Sequence, residues 1–241
     1  MMIEKKISGK SDDVACNTSS DLFFFLEHWD IAYIKKLETI KLFDSAINSK
    51  FSRAQKESFV RLFYHIRGNF YKFLWFLGNH ATKTELKEQV LYNIKEEFGG
   101  RKYSHELLYF KFCKSLGFDI ENEFVYEQSN HAFIKEFNLK HIEWLSRGSE
   151  VARWATFSAY ERLDNIDYTN LLELAKNLGS SEEGLEFFII HNKADHFDKT
   201  YRILKGFWTE HKTEIKKSFG FIAENQILMW GRLSELLIPS A

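Results

Sequence analysis

A single proline, Pro239, in a chain of 241 residues leaves almost the whole backbone free to be helical. A proline inside a helix removes a hydrogen-bond donor and clashes with the preceding turn, and about 5% proline is usual in globular chains. The apolar pattern uses that freedom. Over residues 51–80, Phe59, Leu62, Phe63, Ile66, Phe70, Phe73, Leu74 and Leu77 recur at intervals of three and four, which lays a wide buried stripe along one helix. Ser52 suits the N-cap of that helix, and Gly78-Asn79 its stop. Comparable segments fall at 21–49, 84–98, 104–116, 129–144, 150–163, 168–178, 182–205 and 207–237, separated by glycine or polar punctuation. No segment alternates as a strand would. The expectation is an all-α fold, one domain of seven or eight helices over residues 21–241, preceded by a flexible polar tail over 1–20.

Bulk properties narrow the function classes. A hydrophobic content of 44% is that of a globular chain. A formal net charge of −1 gives no electrostatic reason to expect nucleic acid or an anionic membrane surface as partner. No apolar run is long enough to span a bilayer, and the charged first twenty residues lack the apolar core of a secretory signal. The two cysteines, Cys16 and Cys113, suggest no structural disulfide and fit a reducing cytoplasm. With 24 phenylalanines, the core must be built largely from flat aromatic rings.

Two stretches carry polar residues that a helical fold does not need. In the first, Glu96-Glu97 ends a helix, Gly99-Gly100 turns, and His105 opens the next helix. A tight turn between antiparallel helices brings carboxylate and imidazole together, a pairing that can hold a metal ion; solvated acids at a helix end and a capping histidine would read the same way. In the second, Phe187-Phe188-Ile189-Ile190 leads into His191, Asp195 and Asp198 at i, i+4 and i+7. On an ideal helix these three fall within about 60° of one another. Continued into a core, such a stripe requires a metal or basic partners; on a solvated face it requires neither. His196 points elsewhere. Glu161 follows the apolar or small run 154–160 and either turns inward or closes its helix. Tyr64, on the long helix beside His65 and Arg67, is placed to offer a hydroxyl to a cavity or to pack in the core. His28, His80, His131, His141 and His211 show no partner spacing, and phosphate-loop, paired-cysteine and nucleophile-elbow motifs are absent.

The order of these pieces resembles the haem-oxygenase-like dinuclear-iron oxidases. That group is related to the chlamydial protein associating with death domains, and its fold is shared with thiaminase II and the pyrroloquinoline-quinone synthase. The resemblance covers about residues 42–204 and is carried by four weak motifs: Phe63-Tyr64-His65-Ile66; Asn93 and Glu97 followed by the glycine turn, His105 and Gly117; Ala159-Tyr160-Glu161; and Phe187-Phe188 followed by His191 and Asp195. It implies a haem-oxygenase-like bundle and a ligand set of Glu97, His105, Glu161, His191 and Asp195, with Asp198 standing where the family has a histidine. The step from Glu97 to His105 is one residue longer than in the family, which keeps Glu96 in consideration.

The resemblance further implies Fe(II), with Mn(II) or a second Fe beside it, acting with O2 on a small-molecule substrate, and a homodimer; Tyr64, from its place on the long helix, is the catalytic candidate. With Asp198 the set would hold four carboxylates and two imidazoles, a donor mix suited to hard divalent ions. Two other readings stand beside it. One is a metal-poor binding or interaction protein on the same fold. The other is a thiaminase-like hydrolase, for which Cys113 would have to be an accessible nucleophile.

Overall fold

The computed structural model describes residues 11–68, 70–100, 103–193 and 197–239, with side chains from residue 21 onward. Among these residues there are eleven α-helices and no strand: α1 (Ser11–Leu37), α2 (Ser45–Asn48), α3 (Arg53–Arg67), α4 (Phe70–His80), α5 (Thr84–Glu97), α6 (His105–Ser115), α7 (Glu121–Tyr126), α8 (Ala132–Arg147), α9 (Glu150–Asn177), α10 (Glu182–Lys193) and α11 (Phe197–Leu237). The all-α expectation holds, whereas the helix count of seven or eight is exceeded. No described helix is long and apolar enough to cross a membrane.

Local chemistry sets most of the boundaries. Ser52 caps α3 as expected, in a reciprocal box in which its hydroxyl accepts from the Gln55 amide and the Gln55 side chain accepts from the Ser52 amide. The long helix expected over 51–80 divides at Gly68, the C-cap residue of α3, whose N–H donates to the Tyr64 carbonyl at 2.7 Å. The Gly68 backbone stays right-handed, but a Cβ there would lie 2.7 Å from the Tyr64 carbonyl oxygen, so the close approach favours glycine. Among the described residues the first helix already includes Ser11, so positions 11–20 of the expected tail have a helical backbone.

At α9 the correction runs the other way. The segments expected at 150–163 and 168–178 form one helix of 28 residues. The mostly polar residues 164–167, left between the two expected segments, include Asp164 and Asp167 with inward partners. Similarly, α11 runs unbroken through Gly206 and instead bends at His211, where the backbone leaves helical geometry (φ −122°, ψ 21°).

α9 is the central element. It packs along α11 and α10, while α10 rests on α6, α4 on α5, and α1 on α11. Its apolar side chains are buried around most of its circumference, Ala155, Ala159, Leu171 and Ala175 completely. A main core gathers around Phe63, Phe112, Phe188 and Trp230, and a smaller one around Leu74, Val90, Trp154 and Phe157; Phe70 packs against both. Any acid on the inner faces of α9 therefore sits among apolar neighbours and must find a counter-charge or a proton.

Candidate metal centre

The turn between α5 and α6 builds the first half of the site. Gly99 has φ +92°, a conformation open to glycine and strained for other residues. Ser104 then caps α6, its hydroxyl accepting from the Leu107 amide at 3.2 Å. This geometry sets His105 Nδ1 3.0 Å from Glu97 Oε1. Burial alone would lower the His105 pKa, but the Glu97 carboxylate, aided by Glu96 and Asp164, raises it overall.

The second half comes from α10. His191 Nδ1 lies 2.7 Å from the Phe187 carbonyl, so Nδ1 carries the hydrogen and Nε2 the lone pair. Tyr168 stacks on the His191 ring at 4.3 Å with a 12° interplanar angle and fixes its orientation. The His105 and His191 rings meet edge to face at 4.4 Å. One ligand atom from each of Glu97, His105 and His191 can be chosen so that all lie within 4.8 Å of one another.

α9 supplies the third wall. Glu161 is only 3% exposed and accepts from the Asn93 amide at 2.9 Å. Burial, reinforced by the charges of Asp164 and Glu97, pushes its carboxyl well above the ordinary range. One turn on, Asp164 pairs with Arg67 at 3.0 Å. Burial raises its carboxyl to about 6 even though Arg67 opposes the shift. A further turn on, Asp167 is fully buried and accepts from Tyr33 (2.8 Å), Gln226 (2.8 Å) and Trp230 (3.1 Å), with Arg67 at 3.4 Å.

Two cavities meet at this cluster. A large one of about 450 Å³ has walls of Tyr64, Phe70, Tyr71, Phe98, Phe124 and Phe187. A small one of about 20 Å³ lies among Asn93, Glu96, Glu161 and their neighbours. Glu97, His105, Asp164 and His191 line both. The Tyr64 hydroxyl donates to Glu106 at 2.8 Å.

Of the residues named from sequence, the fold brings Glu97, His105, Glu161 and His191 around one small cavity, with Glu96 on its lining. Asp195 lies outside the described residues. Asp198 is exposed in the first turn of α11 and does not join the cluster. Asp164 was missed. Its signal was the repeat Glu161, Asp164, Asp167 at every third residue of one helix, obscured because the polar run resembled a helix break. Cys113 is a packing thiol, 1% exposed, which burial pushes up to about 12. It lines neither cavity, so Cys113 is not the accessible nucleophile the hydrolase reading called for.

The helical arrangement is that of the haem-oxygenase-like fold. It is similar to a CADD-like protein of unknown function from Nostoc punctiforme PCC 73102, with a TM-score of 0.69 at 15% identity over 89% of this chain and 96% of that one. A second crystal structure of that Nostoc protein gives a TM-score of 0.72 at 14% identity, over 89% of this chain and 99% of that one. It is likewise similar to a domain of unknown function with a heme oxygenase-like fold from Shewanella denitrificans OS217, with a TM-score of 0.70 at 17% identity over 90% of this chain and 91% of that one. No curated protein matches the chain. The chain belongs to the family of iron-containing redox enzymes, whose model matches residues 57–212.

The residues present fit a metal. Two imidazoles and one carboxylate, those of His105, His191 and Glu97, converge, and the carboxylates of Glu161 and Asp164 line the same small cavity. Mixed nitrogen and oxygen donors of this kind suit Fe(II) and Mn(II).

Proposed function

We propose that this protein is a metal-dependent oxidoreductase that uses O2 on a small molecule, with iron, alone or beside a second iron or manganese, held by Glu97, His105, Glu161 and His191. The observation that carries this reading is the convergence of Glu97, His105 and His191 ligand atoms within 4.8 Å, on the wall of an aromatic cavity of about 450 Å³. When bound, the metal supplies the redox chemistry with O2.

The chain's own residues do the rest. The Phe187 carbonyl and the Tyr168 ring hold His191 in one tautomer and one orientation. Asn93 holds Glu161. The aromatic walls accept an apolar substrate body and keep water from the reacting centre. The Tyr64 hydroxyl, raised above its ordinary pKa by burial and by Glu106, stays protonated with its hydrogen on Glu106, and its oxygen can accept a hydrogen bond in the cavity it lines.

The test is anaerobic loading with Fe(II), followed by elemental analysis and exposure to O2. The expected result is at least one equivalent of iron per chain and an O2-dependent absorption band. Uptake far below one equivalent, with no such band, overturns the reading.

A further inference from the structure

We infer that Asp164, rather than Asp198, is the carboxylate through which α9 and its partners complete the metal site of this chain, and that Arg67 holds Asp164 in register for that role. The assignment rests on the metal-dependent reading above and adds a ligand to it.

The first argument is position. Asp164 follows Glu161 by three residues on α9, so the two carboxylates leave the helix about one turn apart on adjacent lines of the same face. Helical-bundle metal sites use this same i, i+3 spacing to aim two ligands inward from one helix. Asp164 lines both cavities together with Glu97, His105 and His191. Asp198 is exposed and lines neither.

The second argument is charge. Glu96, Glu97, Glu161 and Asp164 surround a cavity of only about 20 Å³. Glu97 pairs with His105. Arg67 pairs with Asp164 but is shared with the fully buried Asp167. Lys199 acts on Glu161 from over the Tyr92 ring. A divalent cation placed among Glu97, Glu161 and Asp164 would add positive charge where these carboxylates crowd.

The third argument is hydrogen bonding. Asp164 Oδ1 is buried and meets Arg67 Nη1 at 3.0 Å, a contact that leaves a lone pair of the same oxygen for a cation. The Arg67 guanidinium is itself pinned, lying over the Tyr168 ring at 5.2 Å, and that ring stacks on His191. The same stack therefore positions a histidine ligand on one side and, through Arg67, the Asp164 carboxylate on the other.

The test uses Mn(II) alone as probe, under argon, read by calorimetry and by the electron paramagnetic resonance of unbound Mn(II). Wild-type protein is compared with Asp164→Asn, Asp164→Glu and Asp198→Asn. We expect Asp164→Asn to lose one bound equivalent or to weaken binding at least about tenfold. Asp164→Glu should recover part of the loss, and Asp198→Asn should stay within about twofold of wild type. Wild-type binding by Asp164→Asn, or the loss appearing in Asp198→Asn instead, overturns the assignment. If wild-type protein itself binds neither Mn(II) nor Fe(II), the metal reading fails first, and the wild-type arm alone shows it. Should Asp164→Asn not fold, anomalous diffraction from wild-type crystals soaked in Mn(II) decides. A peak within bonding distance of an Asp164 oxygen supports the assignment, and a peak bonded only to Glu97, His105, Glu161 or His191 overturns it.

Discussion

His105 Nδ1 stands 3.0 Å from Glu97 Oε1 across a turn in which Gly99 holds φ +92°. The two side chains meet because that turn folds tightly. A Cβ at Gly99 would lie 2.8 Å from the Ser104 amide nitrogen, which is backbone and cannot swing aside. Gly99→Ala is expected to destabilise the fold by about 1–3 kcal/mol and to weaken Mn(II) binding by separating the pair. Urea denaturation and metal titration of the variant check both. An unchanged midpoint would show that the turn can relax.

Metal loading should stabilise the native state, because the ligands are assembled only there. At a free metal concentration of about a hundred times Kd, the gain is about 2.7 kcal/mol. His105→Ala and Glu97→Gln should remove most of it. Thermal melts with and without Fe(II) under argon measure the difference, and equal shifts in wild type and both variants would refute it.

Asp167 is a structural anchor, with Tyr33, Gln226, Trp230 and Arg67 all directed at one carboxylate. Asp167→Ala leaves Arg67 and three buried donors short of a partner, with an expected cost of about 3–5 kcal/mol. Asp198→Ala, at an exposed position, should change stability by no more than about 0.5 kcal/mol. Chemical denaturation of the two variants gives the contrast, and similar midpoints would be inconsistent with it.

His141 predicts acid sensitivity. It is fully buried, with Nδ1 2.6 Å from the Tyr160 hydroxyl and Nε2 3.2 Å from the Asn225 amide. A neutral ring satisfies both, since Nδ1–H can donate to the tyrosine oxygen while Nε2 accepts from the amide. Burial, with Arg67 adding to it, lowers its pKa from 6.5 to about 3. The unfolded chain therefore takes up a proton that the folded chain refuses. The stability due to the neutral ring is complete above pH 6.5 and falls as pH drops toward 3, by about 3 kcal/mol at pH 4. Denaturation midpoints across this range should fall less steeply for His141→Gln, and parallel profiles would contradict the assignment.

Tyr64→Phe removes the hydroxyl that donates to Glu106 while leaving the ring that packs beside Tyr109 and Phe110. Stability should change by less than about 1 kcal/mol and metal uptake should not change. Turnover of whichever substrate is found should fall at least about tenfold if the hydroxyl acts on it. Steady-state rates and metal analysis on the same preparation separate the two effects, and full turnover by the variant would remove Tyr64 from the catalytic role.

Scarce proline, apolar residues at intervals of three and four, and glycine or serine at the boundaries were enough to read an all-α fold from sequence. Those signals are local: they act within one turn or one cap. The pairing of Glu97 with His105 was legible for the same reason, since a short glycine turn joins them. Local signals could not tell whether a polar run is a loop or the buried face of a helix. Residues 164–167 illustrate this, because Asp164 and Asp167 find Arg67, Tyr33, Gln226 and Trp230 only when α1, α3, α9 and α11 pack together. Nor could helical periodicity say that Asp198 faces solvent while Asp164 faces the cluster. Periodicity fixes the angle between residues on one helix, whereas packing against neighbouring helices decides which angle points inward.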